Sequence, residues 1–217
     1  MRRYLLLTIA AIGLAVLTTG CFNFSRDYEE LYYYQVDYTS PPVTDAVPQK
    51  DVIVRVGTFA VAPAYQGQQI VYSTSALRRK RYDYHLWVVN PGDMLGDLFA
   101  RDMVGAGTYK GVITTYSSLN PDYELEGVVD EIYEKDEGEE WYAVLSVRCV
   151  FFAYSNRAKH ILFQRTFKET VRAKEHSPVS IAYAMSEAAQ KISARLQYAI
   201  NVAVSKQEEL KRMEGEL

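Results

Sequence analysis

Histidines, cysteines and paired carboxylates are the side chains through which this chain could do chemistry. The chain has three histidines, at positions 85, 160 and 176. Their spacing is not that of metal ligands on one helix or one loop. His85 alternates with Trp87 in a segment typical of a strand, which favours a hydrogen-bonded histidine. The sequence also lacks a glycine-rich phosphate loop and a Gly-x-Ser-x-Gly nucleophile turn.

One cysteine and one pair of carboxylates remain as candidates. Cys149 shares a face of a predicted strand with Leu145 and Phe151, which predicts a buried, unreactive thiol. Asp130 and Glu131 are adjacent on a strand and therefore point to opposite faces. We expect no catalytic residues, no metal and no cofactor. An enzyme with a site of unfamiliar type stays open as an alternative.

The first 21 residues have the pattern of an export signal. Arg2 and Arg3 precede an uncharged run over residues 4–17, which is too short to span a bilayer as a mature helix. Small residues then lead to Cys21, and this ending resembles a bacterial lipoprotein signal, although Thr18 stands where an apolar residue is usual. The resemblance implies cleavage after residue 20 and acylation of Cys21. The alternatives are an ordinary cleaved signal and a single-span anchor.

Acylation of Cys21 would determine where the mature protein lies. Each buried methylene adds about 0.8 kcal/mol of membrane affinity, so two or more acyl chains hold a protein firmly. The next residue is Phe22, whereas bacterial lipoproteins retained in the inner membrane often have Asp there. The resemblance therefore implies a lipid-anchored protein that faces the periplasm from the outer membrane. In a cell with one membrane, it implies the outer face of the plasma membrane.

The composition predicts an ordinary globular protein. Of the residues, 48% are hydrophobic and 24% are charged, which excludes a disordered chain. The net charge of −3 becomes −5 when Arg2 and Arg3 leave with the leader, which argues against a nucleic-acid partner. We expect a signal peptide over 1–20, a lipidated tether with a tyrosine-rich strand over 21–50, one domain over 51–204 and a charged, frayed tail over 205–217.

Hydrophobic periodicity predicts an α+β fold. Alternation and β-branched residues predict strands over 52–61, 69–73, 82–89, 109–116, 123–133, 141–154 and 160–171. Helical spacing predicts helices over 91–105, with Asn90 as N-cap, and over 178–204. The apolar stripe of the second helix is predicted at Ile181, Met185, Ala188, Ile192, Leu196 (or Ala199), Ile200 and Val204. Short links favour hairpins, so we expect a mostly antiparallel sheet with two helices packed on one face. Gly127 is a candidate for a β-bulge, and the acidic segment 134–140 is predicted to be a solvated loop.

Tyrosines and arginines supply the candidate interface. The chain has 18 tyrosines, most of which we expect to pack across strands. Near the tether, Tyr32, Tyr33 and Tyr34 are candidates for a partner interface, together with Tyr65. The basic run that begins with Arg78 and Arg79 would suit an acidic partner or lipid head groups, and a solvated hairpin turn explains it equally well.

Several segments in order resemble one family, the ABC-type transport auxiliary lipoproteins found with MCE-type lipid transport systems. After the lipoprotein signal, the matching motifs are Tyr33-Tyr34-Gln35-Val36-Asp37, the strand from Val54 to Pro63-x-Tyr65, Ile70-Val71-Tyr72, Tyr84-His85-Leu86-Trp87 and Leu125-Glu126-Gly127. The Trp87 motif departs from the pattern, since Val88 and Val89 replace small or polar residues.

This resemblance implies a non-catalytic accessory subunit that helps an MCE-domain protein move lipid between membranes. Neither the transported lipid nor the oligomeric state follows from the sequence, and a homo-oligomer stays open. The alternative is a structural envelope lipoprotein that binds peptidoglycan or another periplasmic protein.

We predict that Cys21 is the acylated N-terminus of the mature chain. Mass spectrometry of the membrane-extracted protein is expected to detect a lipid-bearing peptide that begins at Cys21. Cys21→Ser should release the protein from the membrane and leave the domain folded, because the predicted core begins after residue 50. An intact Met1, or an unmodified cut elsewhere, would contradict this prediction.

Overall fold

A computed structural model describes residues 29–42, 48–155 and 158–215. Cys21 and the rest of the leader lie outside the described residues. The compact unit described below begins at Leu31 and includes the tyrosine-rich strand, which pairs with another strand of the sheet.

The described residues form eight strands, two α-helices and a short 3-10 turn. The strands are β1 (Tyr32–Tyr34), β2 (Lys50–Val61), β3 (Gln69–Ser75), β4 (Arg78–Trp87), β5 (Tyr109–Thr114), β6 (Tyr123–Glu137), β7 (Glu140–Ser155) and β8 (Ala158–Arg172). The helices are α1 (Pro91–Ala106) and α2 (Pro178–Gly215), and the 3-10 turn is Pro63–Tyr65.

All eight strands join one mixed sheet. The longest ladders are antiparallel and form the meander β6–β7–β8. The other edge of β6 is shared, because β2 pairs with its first half and β3 with its second half, both in parallel. This arrangement confirms the predicted α+β fold with a mostly antiparallel sheet.

The expectation that neighbouring strands form hairpins holds only in part. The pairs β3–β4, β6–β7 and β7–β8 are antiparallel hairpins. In contrast, β2 pairs in parallel with β5, which follows α1 in the chain. A helix between β4 and β5 allows the chain to cross the sheet, and such crossovers produce parallel pairs.

Helix α1 begins and ends where its sequence predicts. The Asn90 side chain accepts a hydrogen bond from the Gly92 N–H at 2.9 Å, and Pro91 occupies the first turn. Gly107 ends the helix in the left-handed conformation at φ 61°, where its N–H donates to the Val104 carbonyl.

Helix α2 covers the core side of β7 and β8. Its predicted apolar stripe is buried throughout, at Ile181, Met185, Ala188, Ile192, Leu196, Ala199, Ile200 and Val204. The helix continues past residue 204 to Gly215, over the segment predicted to fray. One reason is that the Tyr123 hydroxyl donates to Glu208 at 2.7 Å, and Lys211 pairs with the same carboxylate.

Four local expectations were wrong. Asp130 and Glu131 do not point to opposite faces, because the irregularity between Val129 and Glu131 lets both form ion pairs on the outward surface, with Arg148 and Lys168. The basic run begins strand β4 and does not precede it. The irregularity in β6 lies between Val129 and Glu131 and not at Gly127, whose pairing with β7 is regular. The acidic segment is not all solvated, because Glu134 is 1% exposed and accepts a hydrogen bond from the Tyr82 hydroxyl at 2.9 Å. Burial raises the pKa of Glu134 above its ordinary value.

Gly127 has a packing role. A Cβ atom at this position would lie 2.2 Å from the Phe59 ring, which in turn packs edge-on against Phe99 at 5.5 Å between ring centroids. Glycine at this position therefore lets a large ring lie directly against the β6 backbone.

We predict that Gly127→Ala lowers the free energy of unfolding by about 1–3 kcal/mol, because the Phe59 ring must move out of its place. Gly105→Ala in α1 is the matched control, since nothing lies within 4 Å of its Cβ position. The control should raise stability by up to about 1 kcal/mol through helix propensity. Urea unfolding of both variants measures the difference, and equal stabilities would refute the packing role.

Candidate functional site

Strand β1 forms the corner of the sheet that lies closest in sequence to Cys21. It is an edge strand and pairs in parallel with the end of β4, with Tyr32 opposite His85 and Tyr34 opposite Trp87. We call β1 and residues 84–89 the anchor-proximal corner.

On the core side of this corner, tyrosines surround one histidine. Tyr32 stacks on His85 with 5.4 Å between the rings, and the Tyr34 hydroxyl lies 2.9 Å from His85 Nδ1. Trp87 is 2% exposed and belongs to the hydrophobic core. Partial burial lowers the pKa of His85, which favours the neutral ring at neutral pH.

On the opposite side of the corner, apolar side chains are exposed. We call Leu31, Tyr33, Tyr84 and Val88 the outer patch, and their exposed fractions are 41%, 56%, 40% and 44%. Tyr33 pairs with Leu86, and the same register continued beyond β1 places Leu31 opposite Tyr84, while Val88 follows Leu86 by two residues.

Residues 36–40, which follow β1, form a strap across the two helices. The Val36 N–H points to the Met94 sulfur of α1 at 3.3 Å. The Asp37 N–H donates to Ser186 Oγ of α2 at 3.0 Å, and Gln190 of α2 donates to the Thr39 carbonyl at 2.8 Å. Backbone groups of the strap are therefore satisfied by helix side chains rather than by a strand.

Asp102 in α1 is the centre of this attachment. Its side chain is 0% exposed and accepts hydrogen bonds from Tyr38 (2.8 Å), Ser40 (2.7 Å), Ser193 (2.6 Å) and Arg101 (2.8 Å). Burial, and then the charge of Asp102, raises the pKa of Tyr38, so the hydroxyl remains a donor. Asp102 was not among the sequence-predicted residues, although it lies at core-facing helical spacing after Leu95 and Phe99, which is an unusual place for an acid.

The predicted interface residues Tyr65 and Arg79 come together in a second cluster. The Arg79 guanidinium lies 4.3 Å from the centre of the Tyr133 ring and donates to Ser73 Oγ at 2.8 Å. Tyr65 stacks on Tyr133 and is 7% exposed. A cavity of about 420 Å³ lies beside this cluster. Packing within the fold accounts for Tyr65 and most of the contacts of Arg79.

Arg78 differs from Arg79 because it is exposed. It begins β4 directly after Leu77, which is 99% exposed at the tip of the hairpin. The structure thus divides the predicted interface residues between two places, with Tyr32, Tyr33 and Tyr34 at the anchor-proximal corner and Tyr65, Arg78 and Arg79 near the β3–β4 hairpin.

Helix α2 offers a further exposed surface that the sequence analysis did not single out. Val179, Tyr183, Tyr198 and Val202 lie along its solvent side with exposed fractions of 51%, 75%, 73% and 50%. Grooves of about 710 and 530 Å³ run beside this side of the helix, at the end and in the middle of β8. The i, i+4 spacing within each pair was the available signal.

The described residues hold little that could react. They contain no group of three or more side chains placed to bind a metal ion. Cys149 is buried, and burial raises the pKa of its thiol to about 12, so it is a poor nucleophile at neutral pH. Within the same residues, none of the helices is both long and apolar enough to cross a bilayer.

The fold resembles that of proteins of known structure. The crystal structure of protein XCC0632 from Xanthomonas campestris, of family DUF330, matches with a TM-score of 0.70 and 18% identity, over 82% of this chain and 99% of that one. An uncharacterized protein matches with a TM-score of 0.58 and 17% identity, over the same shares of the two chains. At these identities the likeness concerns the fold. No curated protein sequence matches this chain.

The sequence itself matches a family model over residues 34–197, from the last residue of β1 into α2. The matched range contains the strap, the whole sheet from β2 to β8 and helix α1. This chain belongs to the family described as the ABC-type transport auxiliary lipoprotein component.

Proposed function

We propose that this protein is a membrane-anchored, non-catalytic accessory subunit of an MCE-type ABC lipid transport system. The observation that carries the proposal is the family match over residues 34–197, which covers most of the compact unit. In this proposal, acyl chains on Cys21 hold the protein at the periplasmic side of the outer membrane. The domain binds the MCE-domain protein, and other subunits carry out ATP hydrolysis and transport.

The chemistry of the domain supports a binding role. Its buried polar residues serve the fold, since Asp102 joins the strap to the helices and Glu134 accepts a hydrogen bond from Tyr82. Its exposed side chains include tyrosines and aliphatic residues on α2, which combine apolar area with hydroxyl groups. Such residues are common at the centre of protein interfaces.

Membrane anchoring would allow a weak interface to bind the MCE-domain protein. A tethered domain searches for its partner within a thin layer at the membrane, which raises the effective concentration of both proteins without any strong contact. We therefore place the MCE-domain protein on the solvent side of α2, around Tyr183 and Tyr198, where the exposed fractions are 75% and 73%.

We predict that photocrosslinkers at Tyr183 and Tyr198 capture an MCE-domain protein in intact cells, with the captured protein identified by mass spectrometry. Arg78 is a further position, because it is exposed beside Leu77. Glu139 is the control, since it is exposed in the tight turn between β6 and β7. Intact cells are needed because detergent removes the membrane confinement on which a weak contact depends.

The same experiment tests the structural alternative. Capture of porins or cell-wall components alone, together with an unchanged lipid barrier after gene deletion, would contradict the transport role. Equal capture at Glu139 and at the α2 positions would contradict the assignment of the surface.

A further inference from the structure

The outer patch differs from the rest of the sheet surface that faces away from the core. Across β6, β7 and β8 that surface carries ion pairs. Arg148 pairs with Asp130 at 2.9 Å, Lys159 pairs with Glu126 at 2.8 Å, and Lys168 pairs with Glu131. At the anchor-proximal corner the exposed large apolar side chains are Tyr32, Tyr33, Tyr84, Val88 and Val89, with Leu31 next to them in the chain. Exposed apolar side chains grouped in one place are typical of an interaction surface.

The outer patch includes Leu31, which lies close in sequence to Cys21, the proposed site of acylation. Leu31 follows Cys21 by ten residues, and an extended chain spans at most about 3.3–3.6 Å per residue. The patch therefore stays within roughly 35 Å of an acylated Cys21. Among the exposed large apolar side chains of the described residues, Leu31, Tyr32 and Tyr33 follow Cys21 most closely in sequence.

We infer that the outer patch rests in the head-group region of the bilayer that holds the acyl chains of Cys21. Tyrosine suits this environment because its ring is apolar and its hydroxyl remains in contact with water and head groups. Leu31 and Val88 add aliphatic area beside the ring of Tyr33. The occupant of this surface is thus lipid and not the MCE-domain protein.

Hydrogen bonds behind the patch would make a contact between the patch and the bilayer fix the orientation of the domain. Val88 N–H donates to the Tyr34 carbonyl at 2.8 Å, which holds the end of β4 to β1. The strap that follows β1 is in turn bonded to α1 and α2 through Asp102 and Ser186. A bilayer that holds the corner would therefore also orient the two helices. This inference rests on the acylation of Cys21 and goes beyond the proposed transport role.

The test is the depth of a fluorophore in reconstituted membranes. The mature acylated protein is purified from membranes as single variants Tyr33→Cys and Val88→Cys and labelled with an environment-sensitive dye. Ile161→Cys is the matched control, because Ile161 is apolar, 63% exposed and on the outward side of β8. Cys149 does not compete for the dye, since it is buried. Each protein is placed in vesicles of phosphatidylethanolamine and phosphatidylglycerol with or without nitroxide-labelled lipid.

We expect nitroxide lipid to quench the dyes at positions 33 and 88 severalfold more than the dye at 161. Equal quenching at all three positions would overturn the inference. Dyes at 33 and 88 that are shielded from water but not quenched, with shielding that grows with protein density, would show that a second copy covers the patch and would also overturn it. Thermal unfolding of each labelled variant verifies the fold. Failure of the crosslinking experiment would not change this quenching ratio, so the two proposals fail separately.

Discussion

The buried carboxylate of Asp102 joins the strap and α2 to α1, and the position of β1 depends on this attachment. A charge without water is costly unless hydrogen bonds replace its hydration. Asp102 meets this condition by drawing donors from the strap (Tyr38 and Ser40), from α2 (Ser193) and from its neighbour Arg101. Removal of any of these elements would leave the charge under-bonded. The strap, α1 and α2 therefore stabilise one another. Because the strap directly follows β1, the same bonds hold β1 at the edge of the sheet.

The bonds to Asp102 fix the position of β1, which is the first described strand after Cys21. The family is one of lipoproteins, and the chain leads from the proposed lipid on Cys21 to β1 and then to the strap. Because the strap bonds to both helices, no loose linker separates β1 from the core. Under the proposed function, a contact between the bilayer and β1 would therefore also orient the solvent side of α2. Both the proposed lipid contact of the outer patch and the proposed partner contact of α2 depend on the same attachment.

Local signals in the sequence were sufficient to predict the helices and most strands, but not to predict which strands pair. Asn90 and Pro91 predicted the start of α1, and the stripe from Ile181 to Val204 predicted the buried face of α2, because capping and periodicity act within a few residues. The parallel pairs of β2 with β5 and β6 depend on contacts between distant segments, which no local pattern encodes. The same reason explains the candidate site. Tyrosines near the anchor were recognised, whereas the bonds from Tyr38 to Asp102 and from Tyr82 to Glu134 join residues more than 50 positions apart.

Hydrogen exchange of the strap amides tests the central role of Asp102 most directly. In Asp102→Ala, we expect the Val36 and Asp37 amides to exchange about tenfold faster or more, since a lost hydrogen bond to a buried charge costs about 1.5–3 kcal/mol. Amides of β6 and β7 should change less. Asp97→Ala, an exposed acid on the same helix, should leave the strap protected. Strap amides that remain as protected as in the wild-type protein, or that lose protection only in step with β6 and β7, would show that Asp102 does not hold the strap.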